Sequence, residues 1–500
     1  MAKIDDGQIE AIRRRVMQEI GATAQSPIPT PQPLASTRAP HLSYVGREGR
    51  QAGSTPRGGE WGIYPDINGA VAAAKVAFLA LDKMTLQTRH NVVAAMREAS
   101  RRHARELGEM AASETGMGRP EDKEKKNLLA ADKTPGPEIL TPDAQSGDHG
   151  LMLLERAPYG VFCAITPSTN PTSSIINNAI GLVSAGNATV FAVHPGANQV
   201  CNYTIQLLNR AIVGAGGPPD LLTAGKEATI AGAQALMRHP GIRILLVTGG
   251  PGVVKEAMGS GKRAICAGPG NPPVVVDESA DMALAGRQIV FGASFDNNVI
   301  CVDEKEVFVV DRVADQLLAA MQANQAMLLP KYKLAQLEQV IFDKVGAPGE
   351  HGVINKKWVG KYPWQILREI GITAGPELRL IVADVPQEHP LVWTEQLMPV
   401  LPVVRVPNAD AAIDLAVAAE HGFGHTASMF SRNIDNLSRM AREVNCSIFV
   451  KNGPNLAGLG YGGEGYTSFS IASPTGEGLT NALTFSRLRR CTMVDHFRIV

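Results

Sequence analysis

The chain has 500 residues, of which 44% are hydrophobic and 19% charged, and its 48 Lys and Arg balance 48 Asp and Glu to a formal net charge of zero. That length suits roughly two to four domains, the composition excludes a disordered or fibrous protein, and the lack of basic excess argues against a nucleic-acid partner. Six scattered cysteines form no CxxC pair, so neither a disulfide framework nor a metal site is expected, and no apolar run reaches the ~18 residues that span a bilayer, which predicts a cytoplasmic protein.

Ile9, Ile12, Val16 and Ile20 fall on one stripe of a helix, Asp5 and Gln8 have capping-box spacing, and Gly21 offers a stop, so residues 1–20 are predicted to form an amphipathic helix. Residues 21–60, with Pro27, Pro29, Pro31, Pro33, Pro40 and Pro56, read as an extended linker. A long Pro-rich tether suits a docking peptide more than a domain. Order is expected from Trp61, with helical patterns over 69–84 and 86 to about 113, a Pro-rich break at 135–142 and a strand over 151–157. Strand and helix then alternate: strands 160–166, 188–193 and 242–247, helices 172–185, 197–213 and 252–258. A second series places strands at 274–276, 306–310, 380–382 and 403–406. The fold class expected is α/β, with two doubly wound parallel sheets.

Three stretches bear chemistry. Thr166-Pro167-Ser168-Thr169-Asn170-Pro171 closes a strand and opens a helix, which sets Asn170 where ligands gather in such sheets, although a helix-capping Asn reads the same way. Val247-Thr248-Gly249-Gly250-Pro251-Gly252 repeats the strand, glycine turn and helix, an arrangement that lets backbone approach a phosphate. Cys301 follows Asn297-Asn298 and precedes a charged strand entry; alone, a cysteine is most often a small buried apolar residue. Together, a thiol, an amide donor and a glycine turn are the parts that covalent aldehyde oxidation requires.

From Trp61 onward the sequence resembles the aldehyde dehydrogenase superfamily, and within it the CoA-acylating propionaldehyde and acetaldehyde dehydrogenases of bacterial microcompartments. The resemblance rests on TPSTNP at 166–171, GLVSAGNATVFAVHP at 181–195, VTGG at 247–250, GPGNPPVVVD at 268–277, SFDNNVICVDEKEVFVV at 294–310 and TEQLMPVLPVV at 394–404. It implies Cys301 as the nucleophile and Asn170 as the oxyanion-hole amide. Thr166, Pro167, Gly249 and Gly250 would lie beside the cofactor, and Glu395 would hold the nicotinamide ribose. Hydrolytic members read Glu-Leu-Gly-Gly-Lys where this chain has Cys266-Ala267-Gly268-Pro269-Gly270, so the water-activating glutamate is missing and the thioester is expected to wait for CoA.

The resemblance further implies a nucleotide-binding domain at 61–135 and 159–267, a catalytic domain at 268–470, and an oligomerisation arm of 136–158 with 471–500, hence a homo-oligomer. NAD and coenzyme A are the expected cofactor and cosubstrate, and residues 1–20 are expected to dock on shell or core proteins in the microcompartment lumen. Two other functions are weighed: an NADPH-dependent acyl-phosphate reductase, and a noncatalytic microcompartment scaffold, against which the joint presence of Cys301, Asn170 and Glu395 speaks.

Overall fold

A computed structural model describes residues 59–500. The amphipathic helix expected over 1–20 and nearly all of the linker expected over 21–60 lie outside the described residues.

Continuous apolar runs such as VFCAI and ATVFA cannot present one polar face to water, so they form strands covered on both sides by helices. Six parallel strands make the first sheet, in the order Ile63–Tyr64, Leu222–Gly225, Ala188–Ala192, Val161–Ile165, Ile244–Thr248, Arg263–Ala267. The chain winds outward from Val161–Ile165 in one direction and then returns to lay Ile244–Thr248 on its other side. The switch point therefore falls between these two strands, where the loops after their carboxyl ends diverge and leave a crevice. Phe162, Cys163, Val190, Leu245 and Leu246 are fully buried there, and each large apolar side chain contributes about 1.5–3 kcal/mol.

Seven parallel strands make the second sheet, in the order Ala326–Leu328, Leu380–Asp384, Val400–Val406, Glu306–Val310, Pro273–Val276, Thr426–Phe430, Ile448–Lys451. The strands Leu222–Gly225, Arg263–Ala267, Thr426–Phe430 and Ile448–Lys451 are not anticipated by the pattern. A third, antiparallel sheet joins Asp143–Gly147, Gly150–Pro158 and Ser486–Val494, and its last strand is exposed beyond Ser486. Of the segment 471–500 expected as arm, Ile471, Ala472, Ala482 and Phe485 instead pack in the first core.

Two helical details differ from expectation. The pattern over 86–113 is two helices, Leu86–Arg102 and Ala104–Thr115, broken at His103 (φ −105°, ψ 9°), whose ring meets Glu106 Oε2 at 2.6 Å. Helix Pro120–Lys133 has no counterpart in the apolar periodicity, because its buried positions include Asp122, Lys123, Lys126 and Asn127. Its start is nonetheless written in the sequence: Pro120 opens the first turn, followed by Glu121 and Asp122, and Lys133 closes the last.

Candidate active site

Strand Val161–Ile165 ends in Thr166 and Pro167, and Asn170 immediately precedes helix Pro171–Ser184. Across the switch point, strand Ile244–Thr248 ends in Gly249 and Gly250 before helix Pro251–Met258. The two loops form one side of a cleft. Its other side carries Cys301 and Glu395, and Gly268, Pro269, Val299 and Leu397 also line it. Pro167, Asn170, Gly249, Gly250, Cys301 and Glu395 are thus brought to one cleft. Thr166 is not: it lies buried at the strand end, its N–H donating to the Ala192 carbonyl.

Helix Pro251–Met258 begins at this cleft, and as its second residue Gly252 has an N–H without an intrahelical acceptor. A Cβ at Gly250 or Gly252 would meet nothing within 4 Å, so side chains there would fill the space the glycines leave open. Bare backbone donors at a helix N-terminus beside open space suit a dinucleotide phosphate.

The loop before Cys301 explains the DNN motif. Asp296, Asn297 and Asn298 all have left-handed φ of 47°, 55° and 65°, a conformation that Asx residues tolerate better than others but rarely in succession. Side-chain bonds hold it. Asn297 Oδ1 accepts from Arg119 Nε at 2.7 Å and its amide donates to the Gly360 carbonyl. Asn298 donates to the carbonyls of Ala293 and Glu304 and accepts from Lys305 Nζ at 2.6 Å. Lys305 also donates to the Ile300 carbonyl, and the Ile300 N–H donates to Asp303 Oδ2. The segment carrying the thiol is thereby fixed from both sides. Gly270 is required opposite it, since a Cβ there would stand 2.9 Å from the Cys301 carbonyl oxygen.

Asn170 does not cap its helix: its side chain makes no bond to the first turn. Its Oδ1 accepts from Lys126 Nζ at 2.6 Å, and its Nδ2 donates to Thr169 Oγ1 at 3.2 Å. The helix-capping alternative therefore fails. Burial raises the Cys301 thiol to about 12, with Glu395 adding to the rise and Lys305 opposing it. Burial likewise raises Glu395 to about 7 against the pull of Lys305 and the Gly270 N–H. Cys266 is buried on strand Arg263–Ala267, its N–H donating to Thr475 Oγ1, and it does not line the cleft although Gly268 and Pro269 after it do. Among the described residues that line the cleft, Glu395 is the sole acid.

Sequence reasoning missed the closing elements. Leu459, Ser468, Phe469 and Ile471 line the cleft from a distant part of the chain, and Lys126 reaches Asn170 from the unanticipated helix.

The aldehyde dehydrogenase family model matches residues 61–338 and 374–483. The acetylating acetaldehyde dehydrogenase EutE of Escherichia coli K12 is 51% identical over 453 residues, covering 90% of this chain and 96% of that one. A Rhodopseudomonas palustris propionaldehyde dehydrogenase, solved with bound CoA and an acylated cysteine, superposes with a TM-score of 0.84 at 44% identity, over 87% of this chain and 98% of that one. A propionaldehyde dehydrogenase from the fucose-utilisation bacterial microcompartment of Clostridium phytofermentans gives 0.85 at 42% identity, over 88% and 100% of the two chains. With the thiol, amide and glycine turn gathered at the switch point of a doubly wound sheet and these matches running across nearly all of it, the chain belongs to the aldehyde dehydrogenase family.

Proposed function

We propose that the chain oxidises a short-chain aldehyde, propionaldehyde favoured, to its acyl-CoA thioester with reduction of NAD. The observation that carries this reading is the composition of the cleft: a cysteine faces it, yet among the described residues no acid lines it except Glu395, and Cys266 stands on the strand where hydrolytic relatives place their base. Without a positioned base, attack by water loses about 10²–10⁴-fold, whereas an external thiol is already a competent nucleophile near neutrality.

In this reading the Cys301 thiolate forms a bond to the aldehyde carbon, and the carbonyl electron pair moves to oxygen, where the Asn170 amide and the Cys301 N–H receive it. The nicotinamide cofactor, when bound, supplies the hydride acceptor. Gly249 and Gly250 would leave room for its phosphates, and Glu395 would accept from its ribose hydroxyls. Loss of hydride from the carbon restores the carbonyl as a thioester on Cys301. CoA, its thiol proton released to solvent, adds to that carbon as thiolate, the Cys301 sulfur leaves as thiolate, and one thioester has replaced another, so the reaction runs in both directions.

Residues 1–20 are proposed to direct the enzyme to a bacterial microcompartment, and the three-stranded antiparallel sheet to mediate homo-oligomer formation. Support for the first comes from the stripe of Ile9, Ile12, Val16 and Ile20 and from the microcompartment origin of the Clostridium relative. NADH production from two- to four-carbon aldehydes, with and without CoA and with NAD or NADP, tests the reading. A burst that stalls without CoA is expected. Steady turnover to free acid without CoA would overturn it.

A further inference from the structure

We propose that Lys126 is the positioning residue of the oxyanion site, locking the Asn170 amide so that its N–H faces the cleft and tying that amide to the loop that carries Cys301. The proposal rests on the reading of Asn170 as oxyanion donor and names what makes it one.

A side-chain amide has two nearly isosteric orientations, and only its partners decide between them. An ammonium can donate and never accept, so Lys126 Nζ, 2.6 Å from Asn170, must face Oδ1. The flipped amide would press NH₂ against NH₃⁺. On its other side Nδ2 gives one hydrogen to Thr169 Oγ1, which leaves the second for the cleft that Asn170 lines. A cation on the amide oxygen also draws electrons from nitrogen and makes that remaining N–H the better donor. Nothing else bonds Oδ1 among the described residues, and Asn170 lies in a sparsely populated backbone conformation (φ −132°, ψ 53°) with no side-chain bond to its own helix.

Lys126 is itself held. It is almost fully buried and donates to Asp296 Oδ2 and, at 3.4 Å, to the Thr169 carbonyl. Asp296 is the first left-handed residue of the turn before Cys301, and it also takes the Arg119 N–H at 2.6 Å and Lys123 Nζ at 2.9 Å. Room for it comes from Gly118 (φ +76°), where a Cβ would stand 2.0 Å from Asp296 Oδ1. One ammonium thus bridges the oxyanion amide and the nucleophile loop. Lys123 supplies the control: equally buried, it shares Asp296 and the Thr169 carbonyl but does not touch Asn170.

The test is a pair of double-mutant cycles on the full-length enzyme, read as kcat for CoA-dependent NADH formation, with urea unfolding to verify folding. Lys126→Met is expected to lower kcat about 10–100-fold, less than the ~10²–10³ typical of losing an oxyanion donor outright, with KM for aldehyde changed less than threefold. On the Asn170→Ala background the same substitution should cost less than twofold, whereas Lys123→Met should have the same effect on both backgrounds. Lys126→Gln, which can still donate through its amide, should retain more kcat than Lys126→Met, and it carries the cycle if the Met variant does not fold. Equal losses from Lys126→Met or Lys126→Gln on both backgrounds, or no loss in the parent, would overturn the proposal. A near-normal Asn170→Ala enzyme would instead remove Asn170 from the chemistry, a separate failure of the underlying reading.

Discussion

The two walls of the cleft are built on opposite charge balances. Behind Asn170, the cations Arg119, Lys123, Lys126 and Arg379 outnumber the carboxylates Asp122 and Asp296. Behind Cys301, the run Asp303-Glu304-Lys305-Glu306 is wholly buried and sets three acids around one lysine, with Glu395 facing the cleft beside it. Burial acts on both sets of acids, with different results. It pushes Asp122 up, but Arg379 and Lys125 outweigh it and hold the carboxyl below its ordinary range. It pushes Asp303 and Glu306 well above theirs despite Lys305, and Glu304 to about 7. The first wall is therefore an ionic lattice with spare positive charge, suited to an anion forming on substrate oxygen. In the second, burial favours the neutral form of every acid, which lessens the negative charge around the attacking sulfur, and Glu304 and Glu395 titrate near neutrality.

The largest effects follow from removing the group each wall delivers. Cys301→Ala should abolish aldehyde-dependent NADH formation, and more than a trace of residual rate would take Cys301 out of the chemistry. Asn170→Ala should fold normally and turn over about 10²–10³-fold more slowly, the usual worth of one oxyanion donor.

Glu395 faces the cleft beside Cys301, and its titration sharpens the contrast. As a carboxyl raised to about 7, it is mostly neutral below that pH and mostly ionised above it, and the ionised form accepts from ribose hydroxyls through both oxygens in stronger, charge-assisted bonds. NAD affinity should accordingly rise as pH increases from 6 to 8, and Glu395→Gln should flatten that rise, with KM for NAD about tenfold above the parent at pH 8. Ionised Glu395 also disfavours the Cys301 thiolate, so at pH 8 iodoacetamide should label Cys301 a few-fold faster in Glu395→Gln. Slower labelling in the variant would show that Glu395 takes the thiol proton instead.

How much of this was legible in the sequence depends on which wall is considered. The second was written locally: SFDNNVICVDEKEV carries the thiol, its left-handed turn and its buried acids within thirteen residues of one another. The strands beneath the cleft were legible for the same reason, since five consecutive apolar residues such as VFCAI leave few alternatives. The first wall was not. Asn170 meets Lys126 across 44 positions, Lys126 meets Asp296 across 170, and the helix bringing the lysines buries charge, which apolar periodicity discounts. Ile471 shows the same limit, since nothing in its sequence neighbours says that it lines the cleft.

Stability offers a further way to break the comparison. Asp122 is fully buried, bonded to Arg379 at 3.0 Å, Lys125 at 2.9 Å and the Asp296 N–H at 3.1 Å. Asp122→Asn takes the counter-charge from the part-exposed Arg379 and Lys125 and weakens the charged hydrogen bonds at a buried position, which should destabilise by about 2 kcal/mol at pH 7. Because the native pKa of Asp122 lies below its unfolded value, this contribution is present above the unfolded pKa and lost as pH falls through the native one. The deficit of Asp122→Asn in the urea midpoint should therefore shrink on acidification below pH 4. A deficit independent of pH would mean that the group packs there without its charge.

Glu304 should behave in the opposite sense. One carboxylate oxygen accepts from the Asn455 N–H and the group fills the space beside Gly292, where a Cβ would lie 2.2 Å from Oε2. With its native pKa raised to about 7, the folded protein holds a proton that the unfolded chain releases near 4.5, so Glu304 contributes most below the unfolded pKa, and the contribution falls as pH rises towards 7. Glu304→Gln is neutral at every pH. Between pH 4 and 5 the variant should lie within about 1 kcal/mol of the parent, because the amide oxygen keeps the acceptor for the Asn455 N–H. From there to pH 7 the parent should lose stability relative to it, at no more than about 1.4 kcal/mol per pH unit, the limit for one proton. The measurement is the difference in urea midpoint between the two proteins at each pH and fixed protein concentration. A difference that stays constant, or that moves against Glu304→Gln as pH rises, would mean that Glu304 is ionised in the folded protein and that the wall behind Cys301 carries negative charge after all.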